Sequence, residues 1–185
     1  MEPGFLNRED EKELLTIARS TLERHLKGQE IHSIRSENSR LQISGGAFVT
    51  LHRHGDLRGC IGHLVSNHPI FETVREMAVA AATQDPRFPP VALDELPDLD
   101  IEISVLSPFS PLKDTGEIQV GRHGLVVSRG GHRGLLLPQV AEEYGWDAET
   151  FLAHTCYKAG LPFDAWRDPA TKIEIFSAQV FGEKD

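Results

Sequence analysis

Apolar positions recur at helical spacing between residues 8 and 27, where Leu14, Leu15, Ala18, Leu22 and Leu26 share one stripe. Asn7 stands where an N-cap belongs, and Gly28 where a helix stops. A β-rich run follows at 47–51, a turn at His54-Gly55-Asp56, and a returning strand over 57–64. Pro69 opens a second helix, 70–83, whose buried face is Ile70, Phe71, Val74, Met77, Ala78 and Ala81. Prolines in Asp85-Pro86-Arg87-Phe88-Pro89-Pro90 end it, because proline excludes helical geometry around itself. Residues 99–106 alternate strictly, with Ile101, Ile103 and Val105 on one face and Asp100, Glu102 and Ser104 on the other.

The second half follows the same outline. Residues 125–127 are a β run, Arg129-Gly130-Gly131 a turn, and 133–137 a returning strand. Pro138 opens a helix over 139–144, closed by Gly145. A further helix runs over 148–159, capped by Asp147 and stopped by Gly160, and 172–176 is the last strand. Both halves share an Arg-Gly pair in the returning strand (Arg58-Gly59, Arg133-Gly134), a proline at the next helix start, and Ile-Glu-Ile in the closing strand. The pattern predicts an α+β fold of two subdomains with mainly antiparallel sheets packed with helices. Internal duplication is one origin of the likeness and chance the other. We expect one domain over 1–185, with lobes at 8–107 and 116–183 and a cleft between them as the ligand site.

Composition narrows the function. Hydrophobic residues make up 39% and charged residues 25% of the 185, as in soluble globular proteins. No apolar run is long enough to span a bilayer, and Met1-Glu2-Pro3-Gly4-Phe5 has no signal-peptide pattern. Two cysteines, Cys60 and Cys156, make no disulfide framework, so a cytoplasmic location is the default. A net charge of −9 disfavours nucleic acid as a partner, although Arg53, Arg58, Arg122, Arg129 and Arg133 could form a local basic patch.

The candidate chemistry centres on Leu57-Arg58-Gly59-Cys60-Ile61-Gly62. Alternation puts Arg58 and Cys60 on one face of a strand, and a cation beside a thiol favours the reactive thiolate. Gly59 and Gly62 are expected to clear room beside them for a ligand or another backbone. Cys60 reads as a small packed residue, a nucleophile, or part of a binding site. Cys156 reads as core. Asp85 and Arg87 sit in a proline-stiffened loop, where Asp85 either pairs locally with Arg87 or reaches the Cys60 site. His52 and His54 share a strand face and, with His63 or Asp56, could chelate zinc. No established metal spacing is present, so solvated hairpin histidines are preferred and neither metal nor cofactor is expected. The Gly130-Gly131 turn could cradle an anion, but no phosphate-loop pattern occurs. Trp146 and Trp166 read as lobe anchors, with Gly145-Trp146 as an alternative partner surface.

The six-residue motif resembles the hallmark of the AMMECR domain family, whose prokaryotic members are called AmmeMemoRadiSam system protein A. Gly46-Ala47-Phe48-Val49-Thr50-Leu51, Asp85-Pro86-Arg87-Phe88, residues 101–107, residues 133–141, Gly145-Trp146 and Phe151-Leu152 resemble it in the same order. The resemblance covers nearly all of 8–183. It implies an α+β protein of two subdomains that acts with a Memo-like protein and a radical S-adenosylmethionine enzyme. It implies no established reaction. The expected site is therefore Cys60, as catalytic group, with Arg58, Gly59, Gly62, Asp85, Arg87 and Arg133 as binding residues. The preferred role is an accessory component that binds a partner or small ligand; the alternative is a cysteine-dependent enzyme.

Overall fold

A computed structural model describes residues 6–184. The chain divides into two compact units, one running up to Leu106 and rejoined by the segment from Gln179, the other comprising Ser107–Ala178. The expected second lobe, 116–183, thus loses its end to the first unit. There Phe181 enters the first core, Glu183 donates its N–H to Ile101 O at 3.1 Å, and the Glu183 carboxylate pairs with Arg19.

In the first unit, helix α1 (Arg8–Leu26) opens with the expected cap. The Asn7 side chain accepts from Glu9 N and Asp10 N, and Asp10 returns a bond to Asn7 N. Strands β1 (Ala47–Arg53) and β2 (Asp56–His63) form an antiparallel hairpin. His54 and Gly55 both take positive φ, 54° and 91°, which suits the tight turn that matches strand twist. Helix α2 (Ile70–Thr83) packs on α1, β1 and β2, and β3 (Leu99–Leu106) pairs with the other edge of β1. The alternation of β3 emerges as expected, with Leu99, Ile101, Ile103 and Val105 buried against the helices.

The second unit contains β4 (Ser110–Pro111), β5 (His123–Arg129), β6 (His132–Leu136), α3 (Pro138–Glu143), α4 (Ala148–Lys158) and the first part of β7 (Lys172–Gly182). β5 pairs antiparallel with β6 on one side and β7 on the other, and α4 packs on β5 and β6. Gly130 and Gly131 repeat the positive-φ hairpin turn, at 55° and 86°. Phe151, Leu152 and Cys156 of α4 are fully buried, so Cys156 is core as expected.

The glycines of the two Arg-Gly pairs do equivalent work. A Cβ on Gly59 would stand 2.1 Å from Ala81 O, at the end of α2; one on Gly134 would stand 2.3 Å from Ala159 N, at the end of α4. In each unit the helix end lies directly on the returning strand. The likeness stops at the remaining helices. Among the described residues α1 has no counterpart in the second unit, and the single α2 is matched by two helices, α3 and α4. Common descent of the halves is not established by this.

Candidate functional site

Four expected site residues, Arg58, Cys60, Asp85 and Arg87, belong to the first unit and are brought together there. β2 is paired with β1 on one side only, so its outward backbone groups need other partners. The segment after α2 supplies one. Asp85 Oδ2 accepts the Cys60 N–H at 2.9 Å. Its carboxylate also accepts from Arg87 N at 3.0 Å, Arg87 Nε at 2.9 Å and Arg87 Nη2 at 2.7 Å. The Asp85 side chain is 2% exposed and that of Arg87 54%. The Arg87 guanidinium, helped by the two backbone N–H groups, holds the Asp85 carboxyl well below the usual carboxylate range, against the effect of burial. Asp85 stays ionised, so it is no proton donor at neutral pH. The local Asp85–Arg87 pair and the link to Cys60 occur together.

Arg58 is held differently from expectation. Pairing along the hairpin shifts between Leu51 and His52, so that Leu51 faces Gly59, His52 faces Leu57, and Arg58 is an extra residue in β2. Such a bulge re-aims a side chain. The Arg58 guanidinium makes a two-pronged bond to Glu95, Nε to Oε2 and Nη2 to Oε1, each at 2.9 Å. Nη1 and Nη2 also donate to the carbonyls of Pro89 and Pro90, at 2.9 and 3.4 Å. Arg53 adds a bond to Glu95 Oε2 at 3.1 Å. Arg58 chiefly, with the Ala92 N–H and Arg53, lowers the Glu95 carboxyl to about 2. The fork of Arg58 is thus committed to fastening β2 to residues 89–95.

The room expected beside Gly59 and Gly62 is taken by the protein itself. The Ala81 carbonyl occupies the space at Gly59, and a Cβ on Gly62 would stand 2.3 Å from the Phe48 ring and 2.6 Å from Ala47 O. These glycines admit the protein's own packing rather than a ligand. Arg133 belongs to the second unit, where its guanidinium lies 5.7 Å from the Phe109 ring centroid.

The groups left for chemistry are the Cys60 thiol, Thr50 and Arg87. Cys60 is half-buried, and Thr50, opposite it on β1, places Oγ1 at 3.2 Å with its hydroxyl donating to Sγ. Arg87 is the cation within electrostatic reach of that sulfur. Its bond to Asp85 uses Nε and Nη2, and Nη1 has no hydrogen-bond partner among the described residues. Phe88 carries both cations, with Arg87 Cζ 5.6 Å and Arg58 Cζ 5.9 Å from its ring centroid. Sequence reasoning missed Glu95 and Thr50.

Among the described residues, no three His, Cys, Asp or Glu side chains are grouped to hold a metal ion. His54 Nε2 instead lies 3.6 Å from Asp98. Among the described residues, no helix is long and apolar enough to cross a membrane.

The sequence signature of the AMMECR1 family matches residues 15–181. The chain belongs to the AMMECR1 family. A protein of Methanothermobacter thermautotrophicus is 47% identical to it over 197 residues, covering 99% of both chains. One of Thermococcus gammatolerans is 44% identical, covering 92% of this chain and 89% of its own. The crystal structure of the uncharacterized protein PH0010 from Pyrococcus horikoshii is similar with a TM-score of 0.74 at 44% identity, covering 92% of this chain and 90% of that one. The α+β fold and the family membership expected from the motif order are therefore shown.

Proposed function

We propose that this AMMECR1-family chain is an accessory binding component whose recognition site is the corner formed by Cys60, Thr50 and Arg87. One observation carries the reading. Asp85 and Arg58 are committed to fixing the backbone, whereas Arg87 keeps a donor edge with no partner among the described residues, beside a half-buried thiol. A guanidinium fixed by one carboxylate and open at another edge suits an anionic group on a ligand or partner. The partners favoured are a Memo-like protein and a radical S-adenosylmethionine protein, on the strength of the motif resemblance. A cytoplasmic setting, which keeps thiols reduced, suits a site containing Cys60.

The test is titration of the purified chain with the Memo-like and radical S-adenosylmethionine proteins of the same genome, by calorimetry. Arg87→Ala should weaken capture about tenfold, the scale of one charge-assisted hydrogen bond. Capture by Arg87→Ala equal to that of the parent would remove the reading, as would absence of binding by the parent.

A second reading, a cysteine-dependent enzyme, rests on the Thr50 hydroxyl at Cys60 Sγ and the neighbouring Arg87 charge. It is the weaker of the two. The polar side chain in hydrogen-bond contact with the sulfur is a hydroxyl, and the nearby carboxylate of Asp85 is occupied by four hydrogen bonds. Cys60→Ser, with its near-equal volume, separates the readings: a binding site keeps capture, and a nucleophile loses turnover.

A further inference from the structure

We propose that the second unit carries a small-molecule site of its own, which takes a planar aromatic ring bearing one anionic group. A cavity of about 530 Å³ is lined by Leu136, Trp146, His154, Tyr157, Lys158 and Gly160. That volume falls in the range of small-ligand pockets. Its walls are aromatic and already held in place. Trp146 stacks on His154 with centroids 3.9 Å apart and planes 7° apart, and Tyr144 stacks on Trp146 at 5.0 Å. Tyr157 is backed by Phe163, stacked at 5.0 Å, and Phe163 in turn meets His154 edge-on at 5.4 Å. Rings fixed by other rings lose little freedom when a flat ligand arrives, which favours binding.

Exposure sharpens the case. Tyr144, Tyr157 and Phe163 are 69%, 65% and 49% exposed, in a unit that buries Phe151 and Phe176 almost completely. Exposed aromatic side chains clustered in one place mark a ligand-binding groove more often than scattered ones do. The ligand's charge is read from Lys158. It lines the cavity, and among the described residues it has no ion-pair or hydrogen-bond partner. The carbonyl end of α4 favours a cation at that position. His154 makes no hydrogen bond among the described residues either, so its ring nitrogens add a second polar contact. An apolar, ring-walled cavity with a lone ammonium at its edge matches a flat ring with a carboxylate or a phosphate.

The experiment follows the indole N–H resonances of the full chain, which has two tryptophans, Trp146 and Trp166. Trp146→Phe assigns them. Adenosine monophosphate and indole-3-carboxylate are the charged probes, with adenosine and indole as their uncharged counterparts. The expected result is a saturable shift of the Trp146 resonance with Trp166 unmoved. The charged probe should bind about fivefold more tightly than its counterpart, the scale of one partly exposed ion pair. Lys158→Gln, at an exposed position, should remove that difference while leaving the uncharged probe unaffected. Response to the nucleotide alone assigns a phosphate ligand, and response to the carboxylate alone a carboxylic acid. No saturable shift up to about 5 mM, the weak end of small-ligand affinity, overturns the site. Equal binding of charged and uncharged probes, or a charge preference that survives Lys158→Gln, overturns the ligand class.

Discussion

Asp85 Oδ2 accepts the backbone N–H of Cys60 at 2.9 Å, tying the loop after α2 to the free edge of β2. The bond fixes the strand at the residue that carries the thiol. The same carboxylate orients Arg87 beside it. One buried anion thus positions both the thiol and the cation that accompanies it.

Asp85→Asn keeps the shape of the side chain and removes its charge. Arg87 then loses its ionic partner, and an amide can meet only part of the donor set that faces it. The expected outcome is faster hydrogen exchange at the Cys60 amide than in the parent, with exchange in α1 unchanged. Equal protection at Cys60 in both proteins would show that the bond does not hold the strand edge.

Glu95 links acid stability to the Arg58 fastening. Its folded-state carboxyl is lowered to about 2 from an ordinary 4.5. A lowered carboxyl contributes stability that is complete above the ordinary value and lost as pH falls through the folded one. Glu95→Gln should therefore cost about 1.5–3 kcal/mol at neutral pH, the range for a hydrogen bond to a charged group. Denaturant midpoints of the two proteins should converge as pH is lowered from about 4.5 toward 2. A gap independent of pH would show that packing, not charge, sets the difference.

Gly59→Ala forces a methyl against Ala81 O, and Gly134→Ala forces one against the Ala159 backbone. Backbone cannot swing aside as a side-chain tip can. Each should cost about 1–3 kcal/mol or more in chemical denaturation, as overpacking does. Gly45→Ala is the control. Its methyl meets side-chain rather than backbone atoms, Ile70 Cγ1 at 3.1 Å and Cδ1 at 3.3 Å, and should cost less. Equal costs at all three positions would contradict the close helix–strand approach.

The two thiols should separate cleanly. Cys60 is half-buried, whereas Cys156 is fully buried and burial pushes its thiol up. A disulfide exchange reagent at neutral pH should titrate Cys60 in the folded protein and Cys156 only after unfolding. Mass spectrometry of the labelled peptides reads the order directly; early labelling of Cys156 would contradict its burial.

Local signals determined much of this protein. The cap at Asn7, the stripe of α1, the alternation of β3 and both hairpin turns depend on neighbours a few residues away, so residue type and spacing suffice to reveal them. The ordered motifs likewise identified the family before any coordinate. Tertiary structure decided the meaning of the central motif. Counted back from the His54-Gly55 turn without a bulge, Thr50 faces Gly59; the extra residue at Arg58 brings it opposite Cys60 instead. Glu95 lies 37 residues from Arg58, and no periodicity joins them. The glycines expected to leave room for a ligand or another backbone are filled by Ala81 and Phe48, because an absent side chain shows only that something comes close. What comes close is chosen by packing between segments far apart in the chain, and local pattern carries no record of it.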